Sequence, residues 1–200
     1  MSKGAKTGII IAVIVLFVII IGSSLKGYQN NFVNLEEAVN TKWAQVQNVY
    51  QRRYDLIPNL VATVQGYASH ERETLQAVTE ARSKVGGVTN LKADDLTPEK
   101  LAQFQEAQAG LSSALQRLMV VVERYPDLKA NQSFLNLQTQ LEGTENRITT
   151  ERMRFNESVQ AYNSTIRRFP ANMFAGMFGF DKKVYFSAAG AEQEAPKVEF

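Results

Sequence analysis

The sequence predicts an all-α protein, with an N-terminal transmembrane helix, an antiparallel up-and-down four-helix bundle and a short C-terminal tail. Residues 9–21 are apolar throughout, which is typical of a membrane span. Downstream, apolar residues recur at spacings of three and four over four long stretches, as in amphipathic helices. Strand-like alternation does not occur before residues 184–186. We therefore divide the chain into an anchor at 1–25, a bundle at 26–170 and a tail, apolar then polar, at 171–200.

The predicted anchor carries no charge between Lys6 and Lys26. With its small flanking residues it approaches the ~30 Å thickness of a bilayer's hydrocarbon core. Lys3 and Lys6 precede the span and Lys26 alone follows it closely, which favours a single-pass membrane protein with its bundle on the exported side. A cytoplasmic bundle is the alternative orientation. A cleaved signal peptide is the alternative to a retained anchor, and the missing Ala-x-Ala site disfavours it.

Four apolar seams define the predicted bundle, and burial against neighbouring helices is the expected role of every aromatic residue on them. The seams contain Phe32, Leu35, Val39, Trp43, Val46 and Tyr50; Ile57, Leu60, Val64, Tyr67, Leu75, Val78 and Val85; Leu101, Phe104, Leu111, Leu115, Leu118, Val122 and Tyr125; and Phe134, Leu137, Leu141, Ile148, Phe155, Val159, Tyr162, Ile166 and Phe169.

The breaks between these helices are predicted from proline, glycine and capping residues. Pro58 suits the first turn of a helix and Asp55 can cap it, so a break is expected near residues 52–57. One kinked helix is the alternative, but a helix from 26 to 86 would run ~90 Å without a partner of equal length. Residues 86–87 end the second helix, Thr97 caps the third, and residues 125–127 separate the third from the fourth.

Composition excludes several classes of function. The chain has 22 Lys and Arg against 20 Asp and Glu, and this balance argues against a nucleic-acid partner. It has no Cys and a single His, His70, so thiolate chemistry and a two-imidazole zinc site are excluded. We expect no enzyme activity, no cofactor and no metal.

Two pairs of charged residues fall on or near the seams: Glu145 with Arg152, and Glu71 with Arg82. Buried ions cost several kcal/mol unless they are paired, so one interpretation gives them partners across the helices that fix the register of the bundle. The other places them at the edge of the seam, reaching solvent. Long Arg and Glu side chains favour the second interpretation.

Several motifs resemble those of the LemA family, in chain order from about residue 28 to 186. They occupy residues 51–61, 66–71, 81–82, 123–131, 141–148, 162–163 and 169–170. Asn48-Val49-Tyr50-Gln51 departs from the family's usual residues before the paired arginines. The resemblance implies a bacterial membrane protein with an N-terminal span and a four-helix bundle, and it supplies no reaction. Motif residues whose role is unknown are Arg52, Arg53, Asp55, Pro58, Tyr125, Pro126, Asp127 and Lys129.

These features together predict a non-catalytic, membrane-anchored helical scaffold that self-associates into a homo-oligomer or binds another membrane protein. The resemblance implies a link to membrane organisation, because relatives are associated with it and one is implicated in magnetosome formation. Genes of the family often lie beside that of a membrane metalloprotease. The alternatives are therefore a ligand-sensing bundle and an adaptor of a membrane metalloprotease.

The tail begins with an unusually apolar run. An up-and-down bundle returns residue 170 to the bilayer surface, so Phe174, Phe178 and Phe180 are expected to contact the membrane or a second subunit. The alternative is that this run folds back and caps its own bundle. Residues 184–186 are strand-like and would need a partner strand, such as a copy from another subunit.

Overall fold

The computed structural model describes residues 3–88 and 91–187, with side chains described from residue 11 onward except at 13, 18 and 21. The predicted anchor therefore lies partly outside the described side chains. Across the described ranges no strand occurs, which confirms the all-α class. None of the helices, searched over the described residues, is long and apolar enough to cross a membrane. The helices are α1 (Lys3–Tyr67), α2 (Arg72–Gly86), α3 (Pro98–Val122), α4 (Pro126–Lys129), α5 (Gln132–Arg167) and α6 (Ala171–Phe178), with a 3-10 helix at Ala93–Asp95.

The predicted break near residues 52–57 is wrong, because α1 continues through Pro58 to Tyr67. Proline has no N–H to donate to the carbonyl four residues earlier, which here belongs to Tyr54. Arg82 on α2 supplies the missing donor: its Nε lies 3.2 Å from the Tyr54 carbonyl oxygen. Asp55 caps no helix, and its carboxylate accepts a hydrogen bond of 2.7 Å from Gln51 one turn earlier.

The structure breaks the chain instead at residues 68–71, between α1 and α2, so the predicted second helix is wrong in running through these residues. The predicted boundaries at residues 86–87, 97–98 and 125–127 agree with the structure. The Thr97 hydroxyl accepts a 3.2 Å hydrogen bond from the backbone N–H of Lys100 at the start of α3, and Pro98 is the first residue of that helix. Gly86 ends α2. Pro126 opens α4, where a missing N–H leaves no helical bond unmade.

The chain forms two compact units, one from residues 1–39 and 158–183, the other from residues 40–157 and 184–200. In the second unit, Trp43 packs against Phe104 and Phe155, while Arg53 reaches Gln108 on α3 and Glu145 on α5. Along these contacts the residue numbers of α1 and α3 increase together, so these two helices are parallel. The numbers of α5 decrease as those of α1 increase, so α1 and α5 are antiparallel. Five helices supply the core, which contains Ile57, Leu60, Val64, Ala68, Leu75, Val78, Val85, Leu111, Ala114, Leu118, Val122, Leu128, Phe134 and Leu141.

In the first unit, α6 and the residues after it pack against α1. The Phe174 ring stacks on Tyr28 with centroids 5.2 Å apart. The Phe180 ring meets Phe32 edge-on, also at 5.2 Å. These contacts match the capping alternative for Phe174 and Phe180, and Phe178 is half-buried. Contact of the three rings with a membrane or a second subunit stays a prediction.

Candidate functional site

A buried arginine lies at the centre of the second unit. Arg53 follows Tyr50 and precedes Ile57 at seam spacing on α1, so the helix directs its side chain inward. It is 2% exposed. A charged side chain at such a position requires partners, since an isolated buried ion costs several kcal/mol.

Side chains from two other helices surround the Arg53 guanidinium. Nη1 donates to a Glu145 carboxylate oxygen at 2.9 Å and to the Ser112 hydroxyl at 3.0 Å. Nη2 donates to the side-chain carbonyl of Gln108 and lies 3.4 Å from that residue's backbone oxygen. We call Arg53, Gln108, Ser112 and Glu145 the Arg53 cluster. It joins α1, α3 and α5 by directional bonds that no shift of register along a helix would preserve.

The Arg53 cluster is a structural device rather than a proton-transfer site. Guanidinium stays protonated at any physiological pH, so Arg53 cannot act as a general acid or base. Its Nε and the Nε2 of Gln108 are buried without an acceptor among the described protein groups. The Glu145 side chain is 55% exposed, so the cluster is buried at Arg53 and open to solvent at Glu145.

A second polar contact borders the cluster at Tyr50 and Arg152. Burial raises the pKa of the Tyr50 phenol above its usual 10.0, and the Arg152 and Arg53 cations oppose that rise. Arg152 donates to the Gln105 side chain at 3.1 Å and to the Ser187 carbonyl at 3.0 Å. Its guanidinium also lies 4.7 Å from the centre of the Phe186 ring. The tail is thus tied to the bundle beside this site.

The segment predicted as a strand, residues 184–186, is held by a side chain instead of a second strand. Asn156 on α5 accepts from the Phe186 N–H at 2.9 Å and donates to the Phe186 carbonyl at 3.1 Å. This pair reproduces the two backbone bonds that a neighbouring strand would make. The Phe186 ring is buried among Trp43, Phe104 and Phe155. Pairing with another subunit is not needed to satisfy this residue.

Comparison with known proteins identifies the family of this fold. A model described as the LemA family matches residues 42–200, a range that includes every member of the Arg53 cluster. The chain belongs to the LemA family.

Individual LemA relatives are distant but cover most of the chain. Magnetosome protein MamQ 2 of Paramagnetospirillum magneticum is 27% identical over 205 residues, covering 93% of this chain and 74% of the relative. Magnetosome protein MamQ of Magnetospirillum gryphiswaldense is 27% identical, with 89% and 71% covered. Protein LemA of Metamycoplasma hominis is 25% identical, with 84% and 72% covered.

The LemA motif residues do not converge on one site. Arg53 alone among the first group is buried, whereas Arg52, Asp55 and Pro58 are exposed on α1. Around α4, the Tyr125 hydroxyl donates to Glu71 at 3.0 Å, and this bond to a carboxylate raises the pKa of Tyr125. The residues that follow lie at the surface: Pro126 and Asp127 are exposed, and Lys129 pairs with Glu123.

The charged residues near the seams, expected at the seam edge and reaching solvent, are partly exposed and also have bonding partners elsewhere in the chain. Arg82 bonds the Tyr54 carbonyl, Arg152 bonds Gln105, and Glu71 pairs with Arg124 at 3.0 Å. Glu145 combines both interpretations, because it pairs with Arg53 while more than half exposed. These contacts hold the long side chains in place instead of leaving them free in solvent.

Sequence reasoning missed Gln108, Ser112 and Asn156. Gln108 carries a readable signal, since it occupies a seam position between Phe104 and Leu111 where an apolar residue is expected. Ser112 and Asn156 carry none, because both flank a seam as ordinary polar residues do. Within the described part of the chain, no three His, Asp or Glu side chains are grouped to hold a metal ion.

Proposed function

We propose that this LemA-family protein is a non-catalytic scaffold, anchored by residues 1–25 in a bacterial inner membrane, that acts by self-association or by binding another membrane protein. The supporting observation is the N-terminal part of α1. Its large apolar side chains are exposed around the whole helix circumference: Ile11, Ile14, Val15, Leu16, Phe17, Ile19 and Ile20. A helix apolar on all faces suits a lipid environment.

The bundle's organisation supports a scaffold. The polar groups at the seam centre are used to join helices, and the Arg53 guanidinium stays protonated at neutral pH, so it cannot act as an acid or a base. Relatives that are magnetosome proteins by name support a role in membrane organisation. We propose that the bundle faces the exported side, as Lys3 and Lys6 against Lys26 favour.

Fractionation of cells that express the full chain tests the anchor. The full chain should remain in the membrane pellet after alkaline carbonate extraction, and a variant lacking residues 1–25 should be released while keeping its helical circular dichroism. A topology reporter after Phe200 should be active on the exported side. A mature protein starting near residue 25, or a full chain released by carbonate, would contradict the proposal.

Self-association is tested separately. Native mass spectrometry of the full chain extracted in detergent should give more than one copy, or one copy with a membrane-protein partner. Copurification of a membrane metalloprotease would favour the adaptor role over self-association. A lone monomer under every extraction condition would contradict the scaffold.

Ligand sensing is the second candidate, favoured by a groove of about 500 Å³ between α2 and α3. The groove is lined by small residues, including Ala81 and Gly110, and by charged residues, including Glu80 and Arg117. An Ala81→Trp variant would fill this groove. If the Ala81→Trp variant assembles as the parent does, but cells that carry it no longer respond to small molecules in the growth medium, ligand sensing replaces the scaffold as the proposed function.

A further inference from the structure

The short helix α6 presents an apolar face that nothing in its own unit covers. Met173 and Met177 lie one turn apart on α6 and are 63 and 62% exposed, and Phe169, two residues before the helix, is 82% exposed. We call these three residues the α6 apolar face. The opposite side of α6 is buried, with Ala171 and Ala175 against the rest of the first unit. The helix therefore has apolar side chains on two opposite sides, one buried and one exposed.

Contacts within the first unit place α6 at a definite level along α1. Phe174 stacks on Tyr28, which stands three residues, or ~4.5 Å of helix, beyond Leu25 at the end of the proposed anchor. The following contacts lie farther from the anchor, as Phe180 meets Phe32 and Lys183 pairs with Glu36 at 2.7 Å. The helix α6 therefore lies where an anchored α1 would leave the hydrocarbon and enter the headgroup layer.

Charges beside the α6 apolar face are mainly positive. Arg167 and Arg168 precede it and Lys182 follows it, all exposed, against one exposed carboxylate at Asp181. Cations at headgroup depth are attracted to anionic phospholipids. Apolar side chains between flanking cations are the pattern of helices that lie in a membrane interface.

We propose that α6 is an interfacial helix that inserts Phe169, Met173 and Met177 into the headgroup layer of an anionic phospholipid bilayer beside the span. The proposal rests on the proposed membrane anchor of α1. It assigns the bilayer contact to the face opposite Phe174, because that ring is engaged with Tyr28. The anchored unit then touches the bilayer through two elements, and α1 cannot rotate freely about the membrane normal.

The chain has no cysteine, so single labels test the proposal in the full-length protein. Met173→Cys and Met177→Cys are labelled with an environment-sensitive fluorophore and reconstituted in vesicles of phosphatidylcholine and phosphatidylglycerol that carry spin-labelled lipids. Val120→Cys on α3 is the matched control, since Val120 is an apolar side chain that is 70% exposed in the other unit. Phe17→Cys reports on the anchor itself.

Labels at residues 173 and 177 should be blue-shifted and quenched by the lipids several-fold more than the label at 120. Adding Arg167→Gln and Arg168→Gln, or omitting phosphatidylglycerol, should reduce that quenching and leave the Phe17→Cys label quenched. A quenched label at 17 with unquenched labels at 173 and 177 overturns this proposal alone. Blue-shifted but unquenched labels at 173 and 177 also overturn it and indicate a second copy on the face. An unquenched label at 17 overturns the anchor, and this proposal with it.

Discussion

The hydrogen bond between Arg82 and the Tyr54 carbonyl lets us predict how much stability the protein loses when Arg82 is removed. Pro58 leaves that carbonyl without its helical donor, and Arg82 Nε occupies the place at 3.2 Å with its guanidinium 3.7 Å from the Tyr54 ring centre. A hydrogen bond from a charged donor contributes about 1.5–3 kcal/mol, and a half-exposed cation–π contact about 0.5–1 kcal/mol. We expect Arg82→Ala to lower the free energy of unfolding by about 2–4 kcal/mol.

A proline replacement separates the two contributions. In Pro58→Ala the restored N–H can bond the Tyr54 carbonyl, so Arg82→Ala should then cost only about 1 kcal/mol, the loss of the ring contact. The coupling energy of the double-mutant cycle should be about 1.5–3 kcal/mol, the contribution of the hydrogen bond. Pro58→Ala alone should stabilise the protein, because proline inside a helix is about 3 kcal/mol less favourable than alanine.

Urea unfolding followed by Trp43 fluorescence measures these values. Trp43 is the chain's one tryptophan, it is buried, and it belongs to the same unit as residues 54, 58 and 82. Arg117→Ala, at an exposed arginine on α3, is the matched control and should change stability by less than about 0.5 kcal/mol. An equal cost of Arg82→Ala with and without Pro58 would show that the carbonyl is not its partner.

Three further predictions follow from caps, burial and the tail. Thr97→Ala should cost about 1 kcal/mol as a lost N-cap, whereas Asp55→Ala, inside α1, should cost less than about 0.5 kcal/mol; similar costs in urea unfolding would contradict the helix boundaries described here. The fold raises the pKa of Tyr50 above 10.0, so the unfolded chain loses its proton first. Stability should therefore fall as pH rises from 10.0 through the folded pKa, and Tyr50→Phe should flatten that fall in an alkaline series of unfolding curves. Asn156→Ala removes both bonds to Phe186 and should cost about 1–3 kcal/mol and speed chymotryptic cleavage after Phe186; an unchanged cleavage rate would argue that ring packing alone holds the tail.

Apolar spacing predicted the core of this protein because the helical repeat fixes which side chains face inward. Trp43, Phe104 and Phe155 are all buried where their seams place them. The expected burial is wrong for two other seam aromatics, because Tyr67 ends α1 and Phe169 lies beyond the end of α5, and they are 46 and 82% exposed. The continuation of α1 through Pro58 could not be predicted locally, since the carbonyl left without a donor is bonded by Arg82, a residue on another helix. The position of Phe186 could not be predicted locally either, since its backbone N–H and carbonyl are bonded by the side chain of Asn156 on α5.

The Arg53 cluster was only half accessible to sequence reasoning. Arg53 and Gln108 interrupt apolar seams at positions that a helix must bury, so their meeting could be inferred from phase. Glu145 was recognised as charged and near a seam, but its partner depends on the register of α5 against α1. That register follows from tertiary packing, which no single helix contains.

The position of Phe186 has a consequence for biosynthesis. Its ring completes a cluster whose other members, Trp43, Phe104 and Phe155, are synthesised earlier. The apolar surface that Phe186 covers therefore stays open on the nascent chain until almost all of the described sequence has been translated. At a translation speed of about 5–20 residues per second, the interval between Trp43 and Phe186 lasts about 7–30 seconds. During this interval the growing chain exposes an apolar surface to chaperones and to neighbouring nascent copies.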